Sequence, residues 1–195
     1  MKVAILDLGL GNLLSIKRGL ERAGSEVILA TKNEDINLVD AIVIPGVGAF
    51  RNGISTLKKN FNNIFEKPIL GICLGMQLLL DRSYEHGIFE GMGLVKGEVI
   101  KLPNIVKIPH MGWNDIIIVK DSQLLEGLKS GDYFYFVHSY YCKIMEDVTL
   151  ALTEYGIKFP SIIEKKNIVG VQFHPEKSGK NGLIFLKNFL KWCRK

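Results

Sequence analysis

Short apolar runs alternate with segments of helical periodicity in the first 81 residues of this 195-residue chain. The run nearest the N-terminus is almost continuously apolar up to Asp7, which is typical of a buried strand. Parallel strands need crossover connections, usually helices, and this alternation is typical of them. The pattern therefore predicts a parallel sheet covered on both faces, with strands at residues 2–8, 25–30, 41–44 and 68–72 and helices at 13–23, within 49–65 and at 75–81.

The second half of the chain has a different pattern. Short β-like runs follow one another with few helices between them, and this favours added antiparallel or mixed strands over further crossovers. They lie at residues 95–102, 115–120, 133–137, 150–154, 160–164 and 168–173. The chain ends in a helix with one apolar face. No linker or repeat separates the halves, so we expect one α/β domain over residues 1–195, with a central, mostly parallel sheet and additional strands in the second half.

Composition excludes several classes of protein. Hydrophobic residues make up 47% of the chain and charged residues 23%, which argues against disorder, collagen and a coiled coil. No apolar stretch approaches the ~20 residues of a membrane-spanning helix, and the first apolar run is too short for a secretion signal. We therefore expect a cytoplasmic protein. The net charge of +5 comes mostly from scattered basic residues, which argues against nucleic-acid binding but not against an anionic partner or a phosphorylated metabolite.

The sequence has three cysteines and four histidines, so any cysteine–histidine chemistry draws on a short list. Cys73, Cys142 and Cys193 form no disulfide framework and lack the paired spacing of a zinc site. We expect free thiols, no metal and no cofactor. Cys142 lacks flanking glycines, and Cys193 lies on the apolar face of the predicted terminal helix, so both are interpreted as structural.

Cys73 stands where a buried strand meets a helix, with Gly71 and Gly75 two positions to either side. This is the pattern of a nucleophile elbow, in which small flanking residues permit the close approach of neighbouring backbone. The helix would direct amide groups at the sulfur and favour the thiolate, and the amide of Leu74 would face an oxyanion. The alternative is that Cys73 only fills the core.

His174-Pro175-Glu176 ends the last predicted strand. In an extended segment positions 174 and 176 point to the same side, so the carboxylate of Glu176 can orient the imidazole of His174 toward a nucleophile. A cysteine with this pair would hydrolyse an acyl group through a thioester. A structural histidine is the alternative. A zinc deaminase signature fails, because it requires a downstream Pro-Cys-x-x-Cys and only Cys193 follows.

Two further elements fit acyl transfer. The loop Pro45-Gly46-Val47-Gly48 follows the third strand, at the sheet edge where Cys73 is also expected, and can offer a second amide to an oxyanion. An ordinary tight turn is the alternative. Gln77 lies one helical turn after Cys73 and could face a substrate, or could simply be a polar residue on an apolar helix.

The elbow Gly-Ile-Cys-Leu-Gly-Met-Gln at 71–77 and the late His-Pro-Glu at 174–176 resemble the class I glutamine amidotransferases over essentially the whole chain. Within that family the chain resembles the glutaminase subunits that serve a cyclase in histidine biosynthesis. That narrower resemblance depends on residues 7–12, 45–50, 110–114, 138–140 and 173–179 taken together. Ser139, where related chains carry threonine, is a mild variation.

The resemblance implies a role for each matching position. Cys73 would attack the carboxamide of glutamine, His174 would relay protons and Glu176 would orient His174. The amides of Leu74 and Val47 would form the oxyanion hole. The positions that match residues beside bound glutamine are Gly48, Gln77, His138, Ser139 and Tyr140, and those that match the surface facing the partner are Asn12, Trp113 and Lys177.

The resemblance also implies a heterodimer. Such subunits pass ammonia to a barrel-shaped cyclase that makes imidazole glycerol phosphate and aminoimidazole carboxamide ribotide, and their activity alone is weak. One alternative is the glutaminase of another ammonia-channelling synthase, such as the one making pyridoxal phosphate, which has Gly-Glu-Ser where this chain has Gly46-Val47-Gly48. The other is a catalytically silent module of the same fold.

Overall fold

The computed structural model describes residues 1–61, 64 and 66–194. Within that part of the chain there are four α-helices: α1 Leu13–Ala23, α2 Phe50–Asn60, α3 Leu74–Leu78 and α4 Gly179–Trp192. The fourteen strands are β1 Lys2–Leu6, β2 Glu26–Ala30, β3 Ala41–Ile44, β4 Ile69–Ile72, β5 Leu80–Ser83, β6 Phe89–Glu90, β7 Val95–Lys101, β8 His110–Asp115, β9 Ile117–Ile118, β10 Tyr133–His138, β11 Tyr140–Ile144, β12 Thr149–Glu154, β13 Lys158–Lys165 and β14 Ile168–Val171.

The central sheet has eight strands in the order β2-β1-β3-β4-β14-β13-β12-β9. The five strands from β2 to β14 are parallel to one another, and β13, β12 and β9 continue the sheet with antiparallel pairing. A four-stranded sheet (β11-β7-β5-β6) and the hairpin-like pair β10-β8 lie outside it. The predicted α/β class, with antiparallel and mixed strands added in the second half, is confirmed.

Helices cover both faces of the central sheet. Alternate residues of β1 point to opposite sides, as the pleat of a strand requires. Val3 and Ile5 enter one core with α1 and α4, while Ala4 and Leu6 enter a second core with α2 and α3. Because both faces are buried, the strands are nearly continuously apolar, which is the pattern that revealed them in the sequence.

Helix α1 has the bounds predicted from the sequence, and its caps show why. The side-chain oxygen of Asn12 accepts a hydrogen bond from the Ser15 amide at 3.2 Å. At the other end Gly24 adopts φ 107°, a left-handed conformation that terminates the helix. Ile16 and Leu20 form the buried face between these caps.

Other elements differ from the sequence-based prediction. Helix α3 ends at Leu78, and the residues expected to continue it form β5, which pairs with β6 and β7. The strand expected at 115–120 is replaced by β8 and the short β9, and β11 was not predicted. Helix α2 ends at Asn60, and Phe65, the end of its predicted range, lies outside the described residues. Among the described residues no helix is long and apolar enough to cross a membrane.

The carboxyl ends of β3, β4 and β14 meet at one edge of the central sheet, because these strands are parallel neighbours. Backbone segments approach closely there. A Cβ on Gly75 would overlap the Ile44 carbonyl oxygen, and a Cβ on Gly46 would overlap the Ile72 carbonyl oxygen. The glycines at these turns therefore let three strand ends share one small volume.

We predict that Gly71→Ala lowers the free energy of unfolding by about 3 kcal/mol, because the new methyl group cannot be accommodated. It would lie 2.7 Å from the carbonyl carbon and oxygen of Gly75 and from the Met76 nitrogen, all of them backbone atoms. Gly53→Ala is the matched control, since its methyl group would meet only side-chain ends at 3.3 Å. Urea unfolding measures both, and equal stability of the two variants would contradict this account of the elbow.

Candidate active site

Cys73 lies directly after β4 and at the start of α3, in a strained conformation with φ 51° and ψ −104°. Positive φ is uncommon for a residue other than glycine, and it persists only where the surrounding structure enforces it. The Cys73 amide donates to the Val171 carbonyl at 2.7 Å and so ties the elbow to β14. The side chain is buried, and the sulfur lies 3.8 Å from the Val137 carbonyl oxygen.

His174 is held just beyond the end of β14 by hydrogen bonds to its backbone. Its amide donates to the Tyr135 carbonyl at 2.9 Å, and its carbonyl accepts from the Ser178 hydroxyl at 2.6 Å. The ring nitrogen Nδ1 lies 2.8 Å from Oε1 of Glu176, and only 2% and 4% of the two side chains are exposed. The other ring nitrogen, Nε2, is buried without a hydrogen-bond partner.

The charges around His174 determine its protonation. Burial alone lowers its pKa, but the electrostatic interaction with Cys73 and the charge and hydrogen bond of Glu176 outweigh burial and raise the pKa to about 10. A histidine with a raised pKa is protonated at neutral pH, so the ring is an imidazolium beside the sulfur. Of the predicted triad residues, His174 and Glu176 are in direct contact, and Cys73 lies near enough to raise the pKa of His174.

Cys73 opens onto a cavity of about 280 Å³. The cavity walls come from the loop after β3, from α3 and from the β10–β11 connection. All the predicted oxyanion-hole and glutamine-site positions line it: Val47, Gly48, Leu74, Gln77, His138, Ser139 and Tyr140. The volume and the mixed polar and apolar lining suit a small molecule with a few polar groups.

His138 contributes to the cavity wall, but its ring nitrogens are already engaged. Nδ1 lies 2.9 Å from the Tyr140 carbonyl oxygen, which can only accept, so Nδ1 donates. Burial lowers the pKa of His138 to about 3 and that of His110 to about 4, so both rings are neutral. Nε2 of His138 therefore accepts from Nδ1 of His110 at 2.9 Å, and the side chain of His138 shapes the site rather than binding a ligand through a free ring nitrogen.

Gln77 and Gln172 form a second chain of hydrogen bonds behind the sulfur. Nε2 of Gln77 donates to the Tyr140 carbonyl at 3.0 Å and to Oε1 of Gln172 at 3.3 Å. Nε2 of Gln172 lies 3.5 Å from Sγ of Cys73. Gln172 was not among the predicted site residues, although it is a polar residue within the apolar run 168–173 that predicted the last strand, a signal that could have drawn attention to it.

Glu85 was also missed by sequence reasoning. Its carboxylate lines the cavity and accepts a hydrogen bond from the Phe50 amide at the start of α2. Among the residues that line the cavity, Glu85 is the only acidic one. It lies in the loop after β5, where the sequence shows no pattern that would distinguish it from a surface glutamate.

The three residues predicted at a partner surface lie near one another. The Trp113 ring, 55% exposed, contacts the Tyr135 ring edge-on with centroids 6.1 Å apart, and Nζ of Lys177 lies 5.8 Å from the same Tyr135 ring. Lys177 and Asn12 share a cavity of about 10 Å³ with His174 and Glu176. This surface therefore lies directly behind the histidine–glutamate pair.

Cys142 and Cys193 do not line the cavity. All three cysteines are free thiols. Burial raises the pKa of Cys142 well above its usual value and raises that of Cys193 to about 12. Within the described part of the chain, no three His, Cys, Asp or Glu side chains are arranged to hold a metal ion.

Comparison with known proteins places this chain in a family. The family model described as "Glutamine amidotransferase class-I" matches residues 4–192. Imidazole glycerol phosphate synthase subunit HisH of Aquifex aeolicus is 47% identical, with coverage of 100% of this chain and 99% of the relative. The protein with the same description from Archaeoglobus fulgidus is 44% identical, with coverage of 96% and 97%.

Solved structures agree on the fold. A crystal structure of a glutamine amidotransferase superposes with a TM-score of 0.77 over 99% of both chains, at 18% identity. The structure of PurLQS from Thermotoga maritima gives a TM-score of 0.74 over 98% of both chains, at 16% identity. At these identities the structures establish the architecture, while the family model and the sequence relatives establish kinship. The chain belongs to the class I glutamine amidotransferase family and, within it, to the group of imidazole glycerol phosphate synthase HisH subunits.

Proposed function

We propose that this chain is a glutaminase that hydrolyses glutamine to glutamate and ammonia, and that it delivers the ammonia to a separate cyclase subunit of imidazole glycerol phosphate synthase. The observation that carries the proposal is the position of Cys73 in the cavity wall, hydrogen-bonded through its amide to the end of the strand that leads into the buried His174–Glu176 pair. The HisH names of the relatives favour this synthase over other ammonia-channelling synthases.

Glutamine would enter the cavity with its carboxamide toward Cys73. Its α-ammonium group needs a negative partner, and Glu85 is the only acidic side chain among the residues lining the cavity. The hydrogen bond from the Phe50 amide holds the Glu85 carboxylate in place before substrate arrives. Gln77 and the Ser139–Tyr140 backbone supply polar groups along the remaining wall.

In the first step the Cys73 thiolate attacks the carboxamide carbon of glutamine. The carbonyl electrons move to oxygen, where the amides of Leu74 and Val47 would stabilise the developing charge. The carbon–nitrogen bond then breaks as Nε2 of His174 gives its proton to the departing nitrogen. Ammonia leaves as a neutral molecule, and a thioester and a neutral His174 remain.

In the second step water hydrolyses the thioester. Neutral His174 takes one proton from the water as the oxygen attacks, and the carbon–sulfur bond then breaks with its electrons going to sulfur. The new carboxyl group gives its remaining proton to solvent as glutamate leaves. The products on the enzyme are again a thiolate and an imidazolium, the charge state in which the cycle began. Glu176 stabilises the imidazolium at both stages without itself accepting the proton.

The partner would dock on the surface formed by Asn12, Trp113 and Lys177. Neutral ammonia released into water would largely become ammonium and lose its nucleophilicity, so direct transfer to a cyclase preserves its reactivity. The position of Lys177 and Asn12 behind the histidine–glutamate pair supports this side as the exit. A cytoplasmic location is part of the proposal and is supported by three free thiols.

Cys73→Ala tests the proposed function. The variant is expected to lose glutamine-dependent product formation in complex with the cyclase, because no other group can form the thioester. Product formation from added ammonium salt is expected to persist, since the cyclase chemistry does not use the sulfur. Cys142→Ala is the matched control and should retain activity. Full glutaminase activity in Cys73→Ala would contradict the proposal.

His174 and Glu176 are expected to differ in their contribution to turnover. His174→Ala should lower turnover more than Glu176→Gln, because proton transfer contributes more than orientation of the ring. Glutaminase assays at saturating glutamine, with the cyclase present, measure both. Equal losses, or a larger loss in Glu176→Gln, would contradict the assigned roles.

A further inference from the structure

We propose that Gln172 is a further catalytic residue, whose side-chain amide donates a hydrogen bond to the Cys73 sulfur and stabilises it as a thiolate. This inference deepens the proposed glutaminase function and rests on it. The role is separate from that of His174, because an amide donor stays in place while the imidazole is giving or taking a proton.

The placement of Gln172 is fixed by the sheet. The residue follows β14, is fully buried, and its backbone amide donates to the Ser161 carbonyl of β13 at 3.0 Å. Its Nε2 lies 3.5 Å from Sγ of Cys73, the usual separation for an amide donor and sulfur. The contact joins residues 99 positions apart, so it is a product of the β4–β14 pairing.

The direction of this hydrogen bond follows from the groups behind it. The Tyr140 carbonyl can only accept, so the atom of Gln77 that faces it at 3.0 Å is the amide nitrogen. The same nitrogen approaches Gln172 at 3.3 Å and must meet an oxygen there. The amide nitrogen of Gln172 is therefore left to face the sulfur. The Tyr140 carbonyl thus determines the donor and acceptor in each hydrogen bond of the series from Gln77 through Gln172 to Cys73.

The sulfur has a different partner in each of its protonation states. A thiol can donate to the Val137 carbonyl oxygen, 3.8 Å away, whereas a thiolate can only accept. Gln172 supplies a donor for the thiolate in a site with little access to water. In the second step of the proposed reaction that donor is already in place when the sulfur leaves the thioester, while His174 is engaged with water.

Gln172→Met tests the inference, because Met has a similar length and no donor. The substitution leaves one amide hydrogen of Gln77 without the Gln172 acceptor, while the other keeps its bond to the Tyr140 carbonyl, so folding of the variant is checked by thermal unfolding. The measurement is the rate of Cys73 alkylation by iodoacetamide against pH on the full chain, with the modified residue identified by mass spectrometry. We expect the pH midpoint of alkylation to rise by about one unit, the size typical of a lost hydrogen bond to a charged group.

The other titratable groups near the sulfur stay unchanged in this variant. His174 and Cys142 interact with it directly, and His138 and Glu85 lie on the cavity wall. Ser161→Ala is the matched control, because it removes a buried hydroxyl without a hydrogen-bond partner from the strand beside Gln172. Its alkylation profile should equal that of the unmodified chain.

Gln172→Asn gives a second measurement of the alkylation midpoint if thermal unfolding shows that Gln172→Met is poorly folded. Asparagine keeps an amide but withdraws it by one methylene group, and we expect a midpoint shift in the same direction. In glutaminase assays both substitutions should lower kcat with little change in KM, because Gln172 lies behind the sulfur and does not line the cavity.

Unchanged alkylation profiles in folded Gln172 variants would overturn the inference, even if kcat fell. The alkylation assay uses neither glutamine nor the cyclase, so it separates two failures. Normal alkylation with no glutaminase activity in the unmodified chain, even with the cyclase present, would contradict the proposed function alone. Glutaminase activity with identical profiles for the unmodified chain and both variants would contradict the role of Gln172 alone.

Discussion

The parallel pairing of β4 with β14 brings the sulfur and the imidazole into one site. Its register aligns Ile72 with Val171, the last residues of the two strands, so that Cys73 and the segment from Gln172 to His174 leave the sheet at the same level. The Cys73 amide donates to the Val171 carbonyl and extends the pairing by one bond into the elbow. Glycines at 71, 75 and 46 then let the neighbouring backbone close around the turn.

Three buried histidines show how the same side chain takes different charges in different surroundings. His138 and His110 face each other and a carbonyl, so burial lowers the pKa of each and both stay neutral. His174 is as deeply buried, but Cys73 and Glu176 raise its pKa to about 10. The neutral pair keeps a defined hydrogen-bond direction in the cavity wall, and the charged ring is left for proton transfer.

Local patterns predicted much of the fold. The cap at Asn12 and the stop at Gly24 gave the bounds of α1, because helix ends depend on nearby residues. The run Leu78–Leu80 is apolar enough for either a helix or a strand. Pairing of β5 with β6 and β7 is what ends α3 at Leu78 and makes the following residues a strand. Strand β8 contains Gly112, Asn114 and Asp115, which disfavour strands, and its pairing with β10 outweighs them.

The part of the candidate site that consists of local motifs could also be predicted from the sequence. The Cys73 elbow and the His174-Pro175-Glu176 segment are local motifs, and the structure brings them together. Glu85 and Gln172 were missed because their importance depends on contacts distant in sequence, with Phe50 in one case and Cys73 in the other. Sequence indicated that Gln77 could face a substrate, but not that it links the Tyr140 carbonyl to Gln172.

Histidine nuclear magnetic resonance on the full chain tests the central claim most directly, because it reports the charge on each ring. With the His174 pKa at about 10, its ring should remain an imidazolium through the neutral range, while His138 and His110 remain neutral. Cys73→Ser should move the His174 titration to lower pH, because the negative charge on sulfur is lost. A His174 ring that is neutral at neutral pH in the unmodified chain, or one whose titration is unchanged in Cys73→Ser, would contradict the account.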